Sequence, residues 1–111
     1  MARVALVTGG IGGIGTAICE RLAKDGCTVV ANHHPSESEA ATAWKAERSA
    51  AGFEIDTIAA DVSSFEDSAR MVSEIAAKHG PVDVLVNCAG ITRDKTFKKM
   101  ESAQWEAVIN V

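Results

Sequence analysis

The chain has 111 residues, 47% hydrophobic and 23% charged, with 11 Lys and Arg against 15 Asp and Glu, and it contains no tyrosine. These fractions suit an ordinary globular chain long enough to bury a core, and they exclude a wholly disordered one. A net charge of −4 gives no broad electrostatic reason to bind nucleic acid or an anionic membrane. Three cysteines, Cys19, Cys27 and Cys88, form an odd set without CxxC spacing. That argues against a disulfide framework or a zinc site and suits a reducing cytoplasm. The first apolar stretch, residues 4–7, is too short for a signal peptide, and no run approaches a membrane span.

Residues 3–8 are apolar, rich in β-branched side chains, and end in glycines, which predicts a buried strand. From residue 13 to 25 the period changes: Ile14, Ile18 and Leu22 recur every four residues, the spacing of one helix face, and Gly26 supplies the stop. The alternation repeats with a strand over 27–32, a linker-like polar patch over 35–39, an alanine-rich helix over 38–51 ended by Gly52, and a strand over 54–60. Ser63 and Glu66 have capping-box spacing for a third helix, whose apolar face is Phe65, Ala69, Val72 and Ala76 and which runs to about Lys78. Gly80 and Pro81 break it, and residues 82–87 form a fourth strand. A last helix begins near Ser102, with Trp105, Val108 and Ile109 at i, i+3, i+4. No glycine, proline or polar tail closes it before Val111, so the pattern reads as a domain cut short. Near-continuous apolar strands separated by helices predict an α/β fold with a parallel sheet covered on both faces.

The segment from Thr8 to Gly15 carries glycine at positions 9, 10, 12, 13 and 15. Glycines permit a tight turn and a close approach of backbone to phosphate, and the helix that follows offers unpaired N–H groups and a positive dipole end. The pattern follows a predicted strand and opens a predicted helix, the context a dinucleotide site requires; the plainer alternative is a turn needed only for strand–helix packing. A P-loop is disfavoured, because no Gly-Lys-Ser/Thr follows. At the end of the second strand, where an NAD site usually carries an acid for the ribose hydroxyls, the chain has Asn32, His33 and His34. Without that carboxylate a 2′-phosphate meets no repulsion, and the two histidines can donate to it, which favours NADP; the alternative is that both are plain loop residues. A metal reading for the pair lacks a third ligand nearby.

Thr8, Gly9, Gly13 and Gly15 in this spacing resemble the glycine pattern of the short-chain dehydrogenase/reductase family. Asp61-Val62 after the third strand, and Asn87-Cys88-Ala89-Gly90 after the fourth, match further landmarks of that family in order and spacing. Ile91-Thr92-Arg93-Asp94, Phe97 to Met100 and Trp105 to Ile109 are similar to its acetoacetyl-CoA-reducing branch, with 3-oxoacyl-[acyl-carrier-protein] reductases as the competing branch. The resemblance covers the whole chain. It implies the N-terminal half, residues 1–111, of one Rossmann-type doubly wound domain, with about four strands present. It implies Gly9, Gly12, Gly13, Ile14 and Gly15 around the pyrophosphate of NADP and His34 near the 2′-phosphate. Asp61 and Val62 would bracket the adenine, and Asn87, Ala89, Gly90 and Ile91 would line the route to the nicotinamide ribose. It further implies Asp94 near an acyl thioester substrate, against the alternative of a solvated loop charge, and a homotetramer of the full-length protein in the cytoplasm.

Two departures stand out. Cys88 replaces the usual second Asn of that segment, and a thiol is a poor donor and acceptor beside an amide. Ile11-Gly12 replaces a common Ser-Arg, which removes a cationic phosphate partner. The family's general acid is a tyrosine, and this chain has none. Its lysine and serine partners would lie beyond residue 111, and its asparagine would fall just after Val111, so Asn110 carries no catalytic role. The expected activity is therefore that of the longer parent: NADPH-dependent reduction of acetoacetyl-CoA in polyhydroxybutyrate synthesis. The rival from another class is a non-catalytic dinucleotide-binding module, complete at 111 residues. The unfinished last helix and the exposed edge expected on the fourth strand speak against it.

Overall fold

The computed structural model describes residues 2–88 and 107–110. Its elements are β1 (Val4–Thr8), α1 (Gly13–Lys24), β2 (Thr28–His33), α2 (Ser38–Ala50), β3 (Ile55–Ala59), α3 (Phe65–His79), β4 (Val84–Asn87) and β5 (Ala107–Asn110). The strands form one sheet in the order β3-β2-β1-β4-β5, and every pairing is parallel. The chain winds outward from β1 through β2 to β3, then crosses back to β4 on the other side. That reversal falls between β1 and β4, and the carboxyl ends of the strands at such a switch point are where doubly wound sheets hold ligands.

Strand alternation divides the core between the two faces. Val4 and Leu6 of β1 join Met71, Val72 and Ile75 of α3, while Ala5 and Val7 join Cys19 of α1 and Trp44 of α2. At the outer strand β3, Asp56 receives hydrogen bonds from Lys45 of α2 at 3.1 Å and from Lys78 and His79 of α3 at 2.9 Å each. This carboxylate joins the helices of both faces across the sheet edge. Burial opposes its ionisation, but the hydrogen bonds from His79, Lys78 and Lys45 prevail and hold the carboxyl well below the usual carboxylate range.

Four expectations need correction. Of the expected last helix, residues 102–106 lie outside the described residues, and residues 107–110 are a strand paired with β4, with Val84 opposite Ala107 and Asn87 opposite Asn110. The open edge of β4 offers a row of backbone donors and acceptors, and Val108 and Ile109 are β-branched residues that a ladder accepts readily. The edge of β4 is accordingly paired. Second, the cap of α3 is Ser64, whose hydroxyl accepts from the Asp67 N–H at 3.1 Å. Ser63 is held instead by Asp61, which accepts from its N–H at 3.0 Å and its hydroxyl at 2.6 Å. Third, the buried stripe of α3 is Ser68, Met71, Val72 and Ile75, while Phe65 is 47% exposed and Ala76 lies at the surface. Fourth, residues 35–37 are a 3₁₀ turn leading into α2, not a linker.

Candidate functional site

The glycine loop joins β1 to α1. Gly9 has φ +61°, the left-handed region that favours glycine. Gly10 and Gly15 are demanded by packing: a Cβ on Gly10 would lie 2.8 Å from Ala31 Cβ, and one on Gly15 would lie 2.5 Å from the Gly9 carbonyl oxygen. Gly13 differs in kind, for a Cβ there would meet nothing within 4 Å. The fold itself makes no packing demand for glycine at 13, and the space outside that Cα is open.

The first helical bond of α1 is Thr16 N–H to Gly12 O at 2.8 Å, so the N–H groups of Gly13, Ile14 and Gly15 precede the ladder. Gly12 supplies no side-chain cap and the first turn holds no acid. The start of α3 shows the contrast, with its Ser64 cap and with Glu66 and Asp67 in its first turn. The α1 terminus is therefore the receptive one for an anion. Ile14, expected on the inner helix face, is 66% exposed beside these donors; Gly15 and Cys19 are the buried positions of α1.

In the sequence Asn32 signals only the lack of a carboxylate. In the structure it anchors the loop. Its main-chain oxygen accepts from Gly10 N–H at 3.0 Å, and its Oδ1 accepts from Gly9 N–H at 3.4 Å. Its Nδ2 donates to the Ala60 carbonyl at 3.2 Å, just past β3. The signal that could have found it is a polar residue at the inner end of an apolar strand. His33 is buried, its Nδ1 donating to the His34 carbonyl at 2.9 Å, so it does not face a ligand. His34 is exposed and caps the 3₁₀ turn: its Nδ1 accepts from Ser36 N–H at 3.1 Å, and Glu37 accepts from its backbone N–H at 3.1 Å. With Nδ1 accepting, the neutral ring carries its proton on Nε2, and the capping role keeps the Glu37 carboxylate turned back on the chain.

The remaining residues line the same end of the sheet. The Asp61 carboxylate holds Ser63, while the Val62 side chain is buried in the α3-side core, which leaves Val62 only its backbone to present. Thr8 ties the carboxyl ends of the neighbouring strands β1 and β4 together: its hydroxyl donates to Asn87 Oδ1 at 2.9 Å and accepts from Cys88 N–H at 3.1 Å. Cys88 is thereby positioned through its backbone, which is how a thiol can stand where an amide is usual. Burial pushes the Cys88 thiol up; burial, then Cys88 and Glu20, push Cys19 up to about 12. Both stay as neutral thiols near neutral pH. Ala89, Gly90, Ile91 and Asp94 lie outside the described residues. Among the described residues no group of three or more His, Cys, Asp or Glu could hold a metal ion, and no helix is long and apolar enough to cross a membrane.

A sequence model of the family described as short chain dehydrogenase matches residues 3–111. An acetoacetyl-CoA reductase of Allochromatium vinosum is 76% identical over 111 residues, all of this chain and 45% of that protein. Nodulation protein G of Azospirillum brasilense is 57% identical over 107 residues, 96% of this chain and 43% of that protein. Among solved structures, an actinorhodin polyketide ketoreductase with NADPH superposes with a TM-score of 0.73 at 39% identity, over 81% of this chain and 34% of that one. The chain thus spans less than half the length of the curated relatives it matches.

Proposed function

The chain belongs to the short chain dehydrogenase family, and from that premise we propose that it is the N-terminal, cofactor-binding half of an NADPH-dependent acetoacetyl-CoA reductase. The observation that carries this reading is the 76% identity to such a reductase across all of this chain. The open space at Gly13 fits the cofactor, since it lies beside three N–H groups at a helix start with no acid in its first turn.

When bound, a nicotinamide dinucleotide would supply the hydride for reduction of the 3-oxo group of acetoacetyl-CoA to (R)-3-hydroxybutyryl-CoA. The chain's own residues bind and orient. The N–H groups of Gly13, Ile14 and Gly15 hold the pyrophosphate, with Gly9 and Gly12 shaping the turn. His34 Nε2–H serves the 2′-phosphate, which gives the preference for NADPH. Asp61 and the Val62 backbone frame the adenine, and Asn87, Ala89, Gly90 and Ile91 lead to the nicotinamide ribose. Asp94 lies toward the acyl-CoA. The family's general acid is a tyrosine and none of the 111 residues is one, so on this reading the proton for the developing alkoxide comes from outside this segment, and the segment alone is inactive. The reading extends to a cytoplasmic homotetramer of the full-length protein.

Titration of the full-length protein with NADPH and NADH tests this. Saturable binding that favours NADPH, with acetoacetyl-CoA-dependent oxidation, is expected. Absence of dinucleotide binding would overturn it.

A further inference from the structure

Trp44 lies in α2, 7% exposed, and its indole Nε1 is 2.9 Å from Thr16 Oγ1 in the first turn of α1. Thr16 Oγ1 is in turn 2.7 Å from the Gly12 carbonyl oxygen. Chemistry fixes both directions. An indole N–H only donates and a carbonyl only accepts, so the hydroxyl must accept from Trp44 and give its single hydrogen to Gly12. The Gly12 carbonyl therefore takes two bonds from Thr16, one from its N–H and one from its hydroxyl.

Gly12 is the N-cap of α1 and has no side chain with which to hold itself. The loop's inner limb, Gly9 and Gly10, is held by Asn32. Its outer limb leads into the N–H groups of Gly13, Ile14 and Gly15, which precede the helical ladder. Arg48, one turn on from Trp44, braces the indole: its guanidinium lies 5.6 Å from the ring centre and pairs with Glu20 of α1 at 3.3 Å. The indole is thus held over its ring by Arg48 while its N–H donates to Thr16, the residue bonded to the loop's Gly12 carbonyl.

We infer that the Trp44–Thr16 pair is a positioning device that fixes the Gly12 carbonyl and thereby aims the Gly13, Ile14 and Gly15 N–H groups at the dinucleotide pyrophosphate. The inference rests on the cofactor reading above. Because the atom it fixes belongs to the pyrophosphate loop and not to the His34 turn, it serves NADPH and NADH alike.

The test uses the full-length protein, with Kd for NADPH and NADH measured beside thermal melting. Trp44→Phe keeps the aromatic volume and removes the N–H; Thr16→Val removes the hydroxyl at nearly constant shape. Each weakens both dinucleotides by about 3- to 10-fold, the scale of one hydrogen bond. The double variant is no weaker than the worse single one, because the two act through one relay. Thr16→Ser restores binding to within about twofold of the parent, and the NADPH-to-NADH ratio stays constant throughout. His34→Ala, by contrast, moves that ratio. A purely structural role would lower the melting temperature and leave Kd of the folded protein unchanged, and that result overturns the inference. So do additive losses in the double variant. Should Trp44→Phe fail to fold, the Thr16→Val and Thr16→Ser pair carries the comparison. Gly13→Asp separates the two claims: if it abolishes binding while Thr16→Val leaves Kd unchanged, the relay is wrong and the cofactor site stands. If Gly13→Asp leaves binding intact, the site itself is wrong.

Discussion

Gly13→Asp sets stability and binding against each other, which makes it the sharpest single substitution. Position 13 is the first residue of α1, and a side chain there meets nothing within 4 Å. An aspartate at a helix start interacts favourably with the dipole, by about 0.3–1 kcal/mol, and replacing a helical glycine removes a further entropic cost. The variant should therefore melt at or slightly above the parent's temperature. Binding moves the other way. A carboxylate about 5 Å from one phosphate charge, at an effective dielectric constant of about 20, is repelled by about 3 kcal/mol. That alone weakens NADPH about 100-fold, before counting the bulk of the side chain. Calorimetric titration of the full-length protein, paired with a thermal melt, reads both. A well-folded variant with unchanged affinity would refute the placement of the pyrophosphate. A variant that loses its fold would refute the claim that packing makes no demand for glycine at 13.

Other perturbations follow from the same geometry. Gly15→Ala puts a methyl against the Gly9 carbonyl, and urea denaturation should show a loss of about 1–3 kcal/mol; an unchanged midpoint would contradict the packing described. Asn32→Asp keeps the acceptor for Gly9 but turns a charged oxygen toward the Ala60 carbonyl. It should cost about 1–3 kcal/mol in the same assay and should not create NADH preference; a stable, NADH-preferring variant would show the residue to be a plain specificity determinant. The folded-state pKa of Asp56 is depressed, so its contribution is fully present above its ordinary value of 3.8 and is lost as pH falls below that toward the folded pKa. Asp56→Asn should lower stability at neutral pH by about 1–2 kcal/mol and flatten the acid limb of the stability curve, and parallel curves for the two proteins would exclude this linkage.

Much of the fold was legible because strands and helices here differ sharply in apolar period, and the glycine loop sat where that period changes. What escaped reading depended on distant partners or on residues without a hydropathy signal. Ile14 completed a four-residue repeat, yet the inward position of that turn is Gly15, which contributes nothing to a hydrophobic pattern. Ser63 and Ser64 each stand three residues before an acid, and only the engagement of Ser63 by Asp61 leaves the cap to Ser64. Asn32 matters through carbonyl and N–H groups on the loop and past β3, a relation absent from its local sequence. Trp105, Val108 and Ile109 fit a helix on spacing alone, and short apolar runs cannot be told apart by period when a sheet edge is at hand.

The most direct test of the central claim is the initial rate of NADPH oxidation by the full-length protein with acetoacetyl-CoA, measured beside the 111-residue chain alone. Acetoacetyl-CoA-dependent turnover is expected of the full-length protein, faster with NADPH than with NADH, and none of the 111-residue chain. Turnover by the chain alone, or a full-length protein that oxidises NADPH no faster when acetoacetyl-CoA is added, would contradict that claim.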